Sequence, residues 1–117
     1  HFRKSKNWQW LELSREAKWL SLEKAIKSNI NIAVGTDAGF MLPHGSMNYR
    51  EIEYLIQGGM TNMQAIKSAT QMGGKLLQMN VGTIQIGQKA DILIVNGNPL
   101  ENIKVLSDKK NIIVNQI

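Results

Sequence analysis

Asp37 and His44 are the residues in this sequence whose types and placement point most directly to chemistry. Asp37 stands in Gly35-Thr36-Asp37-Ala38-Gly39, directly after the apolar run Ile32-Ala33-Val34, and His44-Gly45 follow a few residues on. Near-continuous hydrophobicity is the mark of a strand buried on both faces, and glycines let the backbone turn where such a strand stops. A carboxylate at that point is carried by a rigid element into the loop layer, where parallel α/β barrels bind metals and catalyse. The plainer alternatives are a turn aspartate bonded to nearby backbone groups and an ordinary surface-loop histidine. The sequence has no cysteine, so disulfides and thiolate metal sites are excluded, and any metal must be held by His, Asp or Glu. There are only two histidines. Gly73-Gly74-Lys75 suggests a phosphate loop, but no glycine stands five positions before Gly74, and Leu76 replaces the required Ser or Thr.

The elements that must position these residues follow from periodicity. Trp8 to Asn29 is helical, with Trp19, Leu22, Ala25 and Ile26 on one apolar face and Lys18, Glu23, Lys24 and Lys27 on the wet one. Ser14 is a candidate N-cap inside this stretch, and Asn29 suits the left-handed position just past a helix end. Trp8 and Trp10 read as packing groups. A strand over Ile30–Gly35 comes next, and a helix feeding directly into a short buried strand is the rhythm of a βα-repeat fold. Asn48 and Glu51 have capping-box spacing before a helix that buries Tyr49, Ile52, Leu55 and Ile56, and that box accounts for Glu51 without a catalytic role. Gly58-Gly59 ends that helix. Thr61 and Gln64 form a second box, opening a helix with Met63, Ala65, Ile66 and Ala69 inside and its core face continuing to Leu76 and Leu77. From Asn80 the pattern turns to β. Val81–Gly87 alternates, Ala90–Val95 is a more buried strand, Asn96-Gly97 and Asn98-Pro99 are turns, Leu100–Leu106 carries a short helical turn, and Asn111–Asn115 is a last strand.

Composition bounds the rest. The 117 residues, 43% hydrophobic and 20% charged, suit one small globular domain. The net charge of +5 is scattered rather than gathered into a stripe, which argues against a nucleic-acid partner. No apolar run reaches the roughly 18 residues a membrane span needs. The chain begins with His1 rather than Met, as a piece of a longer protein would.

Taken in order, Gly35-Thr36-Asp37-Ala38-Gly39, His44-Gly45, Glu51, Gly59-Met60-Thr61, Ala65-Ile66, Ala69-Thr70, Gly82-Thr83-Ile84, Ile86-Gly87, Ala90-Asp91 and Asn98-Pro99-Leu100 resemble the C-terminal part of the metal-dependent amidohydrolases. The likeness is greatest to the imidazolonepropionase-like and Xaa-Pro dipeptidase-like branch. It is the succession of short matches that carries the resemblance. It implies an α/β fold: the C-terminal fragment of a (β/α)8 TIM barrel, with the last strand and flanking helices over residues 1–79. Residues 80–117 would then be C-terminal strands of a small β-sandwich. Asp91 reads as a turn residue of that sandwich.

The resemblance also implies a chemistry. Asp37 matches the aspartate that ends strand eight beside one or two divalent metals, often zinc, where it both binds metal and moves a proton from the metal-bound water to the leaving nitrogen. His44 matches a substrate-contacting position. The expected parent is a hydrolase of amide-type C–N bonds in a dipeptide or cyclic amide, cytoplasmic and independent of membrane and nucleic acid. The family's remaining ligands, including a His-x-His pair, do not occur in this sequence, and Asn62 stands where the family usually has proline. The isolated chain is therefore expected to retain no metal and to be inactive. Unpartnered apolar faces and strand edges make a homo-oligomer the expected state. The alternative is a non-catalytic α+β module for binding or assembly.

Overall fold

The computed structural model describes residues 6–39, 43 and 48–116. They fall into two units, His1–Ile30 and Asn31–Ile117.

The first unit is one helix, α1 (Lys6–Lys27). Ser14 lies within it rather than at a cap, and its hydroxyl donates to the Leu11 carbonyl at 2.9 Å, as Ser21 does to Ala17 at 2.8 Å. Both serines therefore satisfy themselves against the preceding turn, and no break is needed. Lys24 and Lys27 sit in the last turn, where cations complement the helix dipole. The end is a Schellman motif. Asn29 takes φ 53°, its N–H donates to Ile26 O at 3.0 Å, and Ile30 N–H donates to Ala25 O at 3.1 Å. Trp19, Leu22, Ala25 and Ile26 are half-buried as their spacing requires, whereas Trp10 is exposed.

In the second unit, α2 (Asn48–Gln57) and α3 (Asn62–Ala69) pack together and make the core. Ile52, Leu55, Ala65 and Ser68 are its buried side chains. Asn48 is the first helical residue of α2, one place later than a cap. The helix ends as glycine dictates: Gly59 has φ 112°, its N–H reaches Ile56 O, and Met60 N–H reaches Leu55 O. The Thr61–Gln64 capping box is complete, with Gln64 N–H to Thr61 Oγ1 at 3.2 Å and Thr61 N–H to Gln64 Oε1 at 2.8 Å.

The helix expected to run on from Thr61 to Leu77 breaks at Thr70 (φ −125°, ψ −85°), and α4 (Gln71–Leu76) follows. The cause lies outside the helix. Gly82 crosses so close that a Cβ on it would stand 2.5 Å from Thr70 O, and a Cβ on Gly74 would stand 2.5 Å from Val81 O. Leu76 and Leu77, expected in the core, are exposed beyond this break.

Strand β1 (Asp91–Val95) pairs antiparallel with β2 (Ile112–Gln116), Leu93 opposite Val114 and Ile94 opposite Ile113. A 3-10 turn over Ile103–Ser107 and another over Lys109–Asn111 fill the connection. Asn62 anchors this connection to α3, donating through Nδ2 to Pro99 O at 3.2 Å and Leu100 O at 2.9 Å.

Two expected strands do not form ladders among the described residues: Ile30–Gly35, the proposed last barrel strand, and Val81–Gly87. A strand exists through its partner's hydrogen bonds, and no described segment forms a ladder with either one. In the first, the Val34 N–H goes instead to Ser68 O at 3.1 Å. In the second, Lys89 N–H reaches Asn80 O at 2.9 Å and a turn at Ile86-Gly87 reverses the chain, leaving Ile84 and Ile86 in solvent.

Candidate active site

The stem of the Asp37 loop is held at Val34 by Ser68. Ser68 is 3% exposed, and its hydroxyl lies 3.6 Å from Met60 Sδ. One buried serine therefore uses its carbonyl for the stem and its side chain for the α2–α3 connection. Periodicity alone did not reveal this, because Ser68 falls on the inner face of α3 as a polar residue among Ala65 and Ile66.

The backbone then turns tightly. Ala38 N–H donates to Thr36 Oγ1 at 3.2 Å, Gly39 has φ 135°, and Asp37 itself has φ 49°. A left-handed backbone is uncommon in a residue with a Cβ, and Asp and Asn are enriched among the exceptions. The Asp37 side chain is exposed, with no hydrogen bond or ion pair from any described residue. It thus presents a carboxylate to solvent from a loop tied to the core at Val34, three residues earlier. His44 lies outside the described residues. Glu51 is half-buried in the first turn of α2, where a carboxylate favours the helix dipole.

Among the described residues no three of His, Cys, Asp and Glu gather into a metal-binding group. Catalytic zinc takes three protein ligands. The donors described in this chain therefore do not by themselves fit a catalytic metal, and Asp37 supplies at most one of them.

A second polar contact that spacing left unread lies near the start of α2. Tyr49 Oη donates to Glu53 Oε1 at 2.7 Å, one helical turn on. Burial, then the hydrogen bond to Glu53 and its charge, pushes the Tyr49 phenol up from 10.0 to about 12. A raised folded-state value means that the native state holds the proton more tightly. This stabilisation is complete below pH 10 and is lost as pH rises through about 12. Phenolate absorbance in an alkaline titration is expected to show one tyrosine ionising late, and Glu53→Gln should move it back toward 10. A single unshifted transition in the parent chain would contradict this.

An apolar cleft of about 580 Å³ opens between the helices and β1, lined in part by Ile52, Ile66, Ile84, Ile92 and Leu106. Among the described residues, Thr83 Oγ1 and Gln88 Oε1 are buried beside it and meet no hydrogen-bond partner.

Comparison with known proteins gives this geometry a family. Residues 9–116 match the model of the amidohydrolase family. Ochratoxinase of Aspergillus niger is 31% identical over 108 residues, which are 89% of this chain and 22% of that protein. The 5-methylthioadenosine/S-adenosylhomocysteine deaminase of Thermococcus sibiricus is 30% identical over 101 residues, covering 72% of this chain and 23% of its own. Among solved structures, the A. niger ochratoxinase crystal structure superposes with a TM-score of 0.85 at 30% identity over 96% of this chain and 26% of that one. A Xaa-Pro dipeptidase crystallised with methionine in its active site gives a TM-score of 0.71 at 40% identity, over 84% of this chain and 24% of that one. The chain spans about a quarter of the length of the relatives it matches. On the match of residues 9–116, this chain belongs to the amidohydrolase family.

Proposed function

We propose that this chain is the C-terminal quarter of a hydrolase that cleaves amide-type C–N bonds, its substrate a dipeptide or a cyclic amide. The observation that carries the reading is the 40% identity to a Xaa-Pro dipeptidase structure across 84% of this chain. In that reading residues 1–79 close a (β/α)8 barrel, with Ile30–Gly35 as its last strand. Residues 80–117 belong to a small β-sandwich, with Val81–Gly87 as one of its strands. Both segments have strand-like sequences, and their ladder partners would come from elsewhere in the full protein. Asp37 is assigned the proton transfer: its carboxylate takes a proton from the attacking water and returns it to the leaving nitrogen. His44 is assigned a contact to substrate. Family members typically bind divalent metals. A metal, zinc for preference, belongs to this proposal only as bound by the full protein, with Asp37 one ligand among several.

The surface supports a covered, incomplete unit. Leu93 and Val114 on one face of the two-stranded sheet, and Ile94 and Ile113 on the other, are each more than half exposed. A two-stranded sheet with apolar residues exposed on both faces is marginal alone, and open apolar faces and edges invite association. The isolated chain is therefore proposed to be catalytically silent and to self-associate. Sedimentation of the 117-residue chain should show species larger than a monomer, and a folded monomer in dilute solution would refute the association. No helix among the described residues is long and apolar enough to cross a membrane. A cytoplasmic location is part of the same proposal, open to a fractionation test.

The deciding assay compares the longer protein with this chain against a panel of Xaa-Pro dipeptides and cyclic amides. Turnover by the longer protein alone supports the reading. Turnover by the 117-residue chain, with metal retained, would overturn the assignment of an incomplete site.

A further inference from the structure

We infer that Asn96 is a site of spontaneous covalent modification, converting to aspartate and isoaspartate through its bond to Gly97. This is independent of the proposed hydrolase activity. Asn96-Gly97 is the single Asn-Gly pair in the sequence, and every other asparagine precedes a residue with a side chain that crowds its following amide, or a proline. The fold leaves both reacting groups free. Asn96 and Gly97 are exposed. Among the described residues the Asn96 carboxamide makes no hydrogen bond, and the Gly97 N–H donates to no acceptor. Gly97 adopts φ 124°, a conformation open to glycine without cost.

The neighbouring asparagines show the contrast. The Asn98 side chain is engaged twice, Nδ2 with Glu101 Oε1 at 2.9 Å and Oδ1 with Leu100 N–H at 3.1 Å, and its next residue is Pro99, which has no N–H to react. Asn102 Oδ1 accepts from Lys104 N–H, and Asn111 Nδ2 donates to Val105 O.

The step balances without an added oxidant or cofactor. Gly97 N forms a bond to Asn96 Cγ, the Cγ–Nδ2 bond breaks, and ammonia leaves with the proton from Gly97 N. The resulting five-membered imide takes up one water at either carbonyl. Opening on one side gives aspartate. Opening on the other gives isoaspartate, whose main chain runs through the former side chain and is one methylene longer.

That extra methylene falls at a junction. Asn96 N–H donates to Asn111 O at 2.7 Å just past the Val95–Ile112 pair that ends the ladder. Gly97 lies against Val105, with room for a Cβ only at 3.0 Å from Val105 Cγ1. Three residues on, Leu100 O takes its bond from Asn62. The isoaspartate form therefore shifts the loop that Asn62 ties to α3.

The test is timed incubation of the chain in mildly alkaline buffer at body temperature, followed by peptide mass mapping and by methyl-acceptor assay with an isoaspartyl methyltransferase. The expected result is an amide-to-acid mass change confined to the peptide holding residues 96–97, rising with time alongside methyl acceptance. Asn96→Gln should lose both signals. A free peptide of sequence Val-Asn-Gly-Asn, incubated in parallel, sets the intrinsic rate. An unmodified residue 96 in the chain after that peptide has converted would overturn the inference. So would modification spread evenly over the other asparagines.

Discussion

Under the proton-transfer role proposed for Asp37, Asp37→Asn in the proposed longer hydrolase is expected to lower kcat/KM by about 10²–10⁴-fold, the usual worth of a positioned proton-transfer group. The substitution isolates chemistry from folding. Asp37 has φ 49°, and asparagine occupies that left-handed region as readily as aspartate does. The Thr36 Oγ1 bond to Ala38 N–H and the Val34–Ser68 tether do not involve the carboxylate. The variant should therefore melt with the parent protein while losing turnover. Asp37→Ala would confound the two effects, since alanine pays for a positive φ. Wild-type kcat/KM in the asparagine variant, on a substrate the parent enzyme hydrolyses, would remove Asp37 from the mechanism.

The second large effect is on stability. Gly82→Ala should destabilise the second unit by roughly 2–5 kcal/mol, combining a left-handed penalty of about 1–2 kcal/mol with overpacking of about 1–3 kcal/mol. Gly82 has φ 86°, and its added methyl would meet Thr70 O at 2.5 Å, Thr70 C at 2.6 Å and Gln71 N at 2.9 Å. All three are backbone atoms, so no rotamer change relieves the contact. Thr70 O also accepts from Gly74 N–H at 3.0 Å, so displacing it unpicks the first turn of α4. Gly73→Ala is the control. It lies in the same helix with nothing within 4 Å of a built Cβ, and a Gly-to-Ala change in a helix should stabilise by about 0.5–1 kcal/mol. Urea titrations followed by circular dichroism read both. Equal effects at positions 73 and 82 would show that the crossing of Gly82 over Thr70 is not tight.

Polar hubs were harder to see from periodicity than apolar faces. Ser68 sits where a helical wheel puts a core residue, yet its value lies in a carbonyl and a hydroxyl that bond to Val34 and Met60, thirty-four and eight residues away. Tyr49 and Glu53 have an i, i+4 spacing that permits a contact, but spacing alone does not give the burial that is the larger cause of the raised phenol.

What this sequence determined unaided is what its backbone decides within about five residues. The stops at Asn29 and Gly59, the Thr61–Gln64 box and the turn at Asn98-Pro99 are closed by atoms that are neighbours in the chain, so residue type is enough to place them. The position of Asp37 in a glycine-flanked loop was legible for the same reason. Tertiary structure decided whatever needs a distant partner. Thr70 breaks its helix where Gly82 crosses it, and Ser14 does not break one. Ile30–Gly35 and Val81–Gly87 have the composition of strands, but a ladder needs a second strand, which none of the described residues provides. Asp91–Val95 found its partner in Ile112–Gln116 and became one. Catalytic metal sites obey the same rule, since their several ligands come together only through the fold. In the proposed reading Asp37 would be one ligand of such a site.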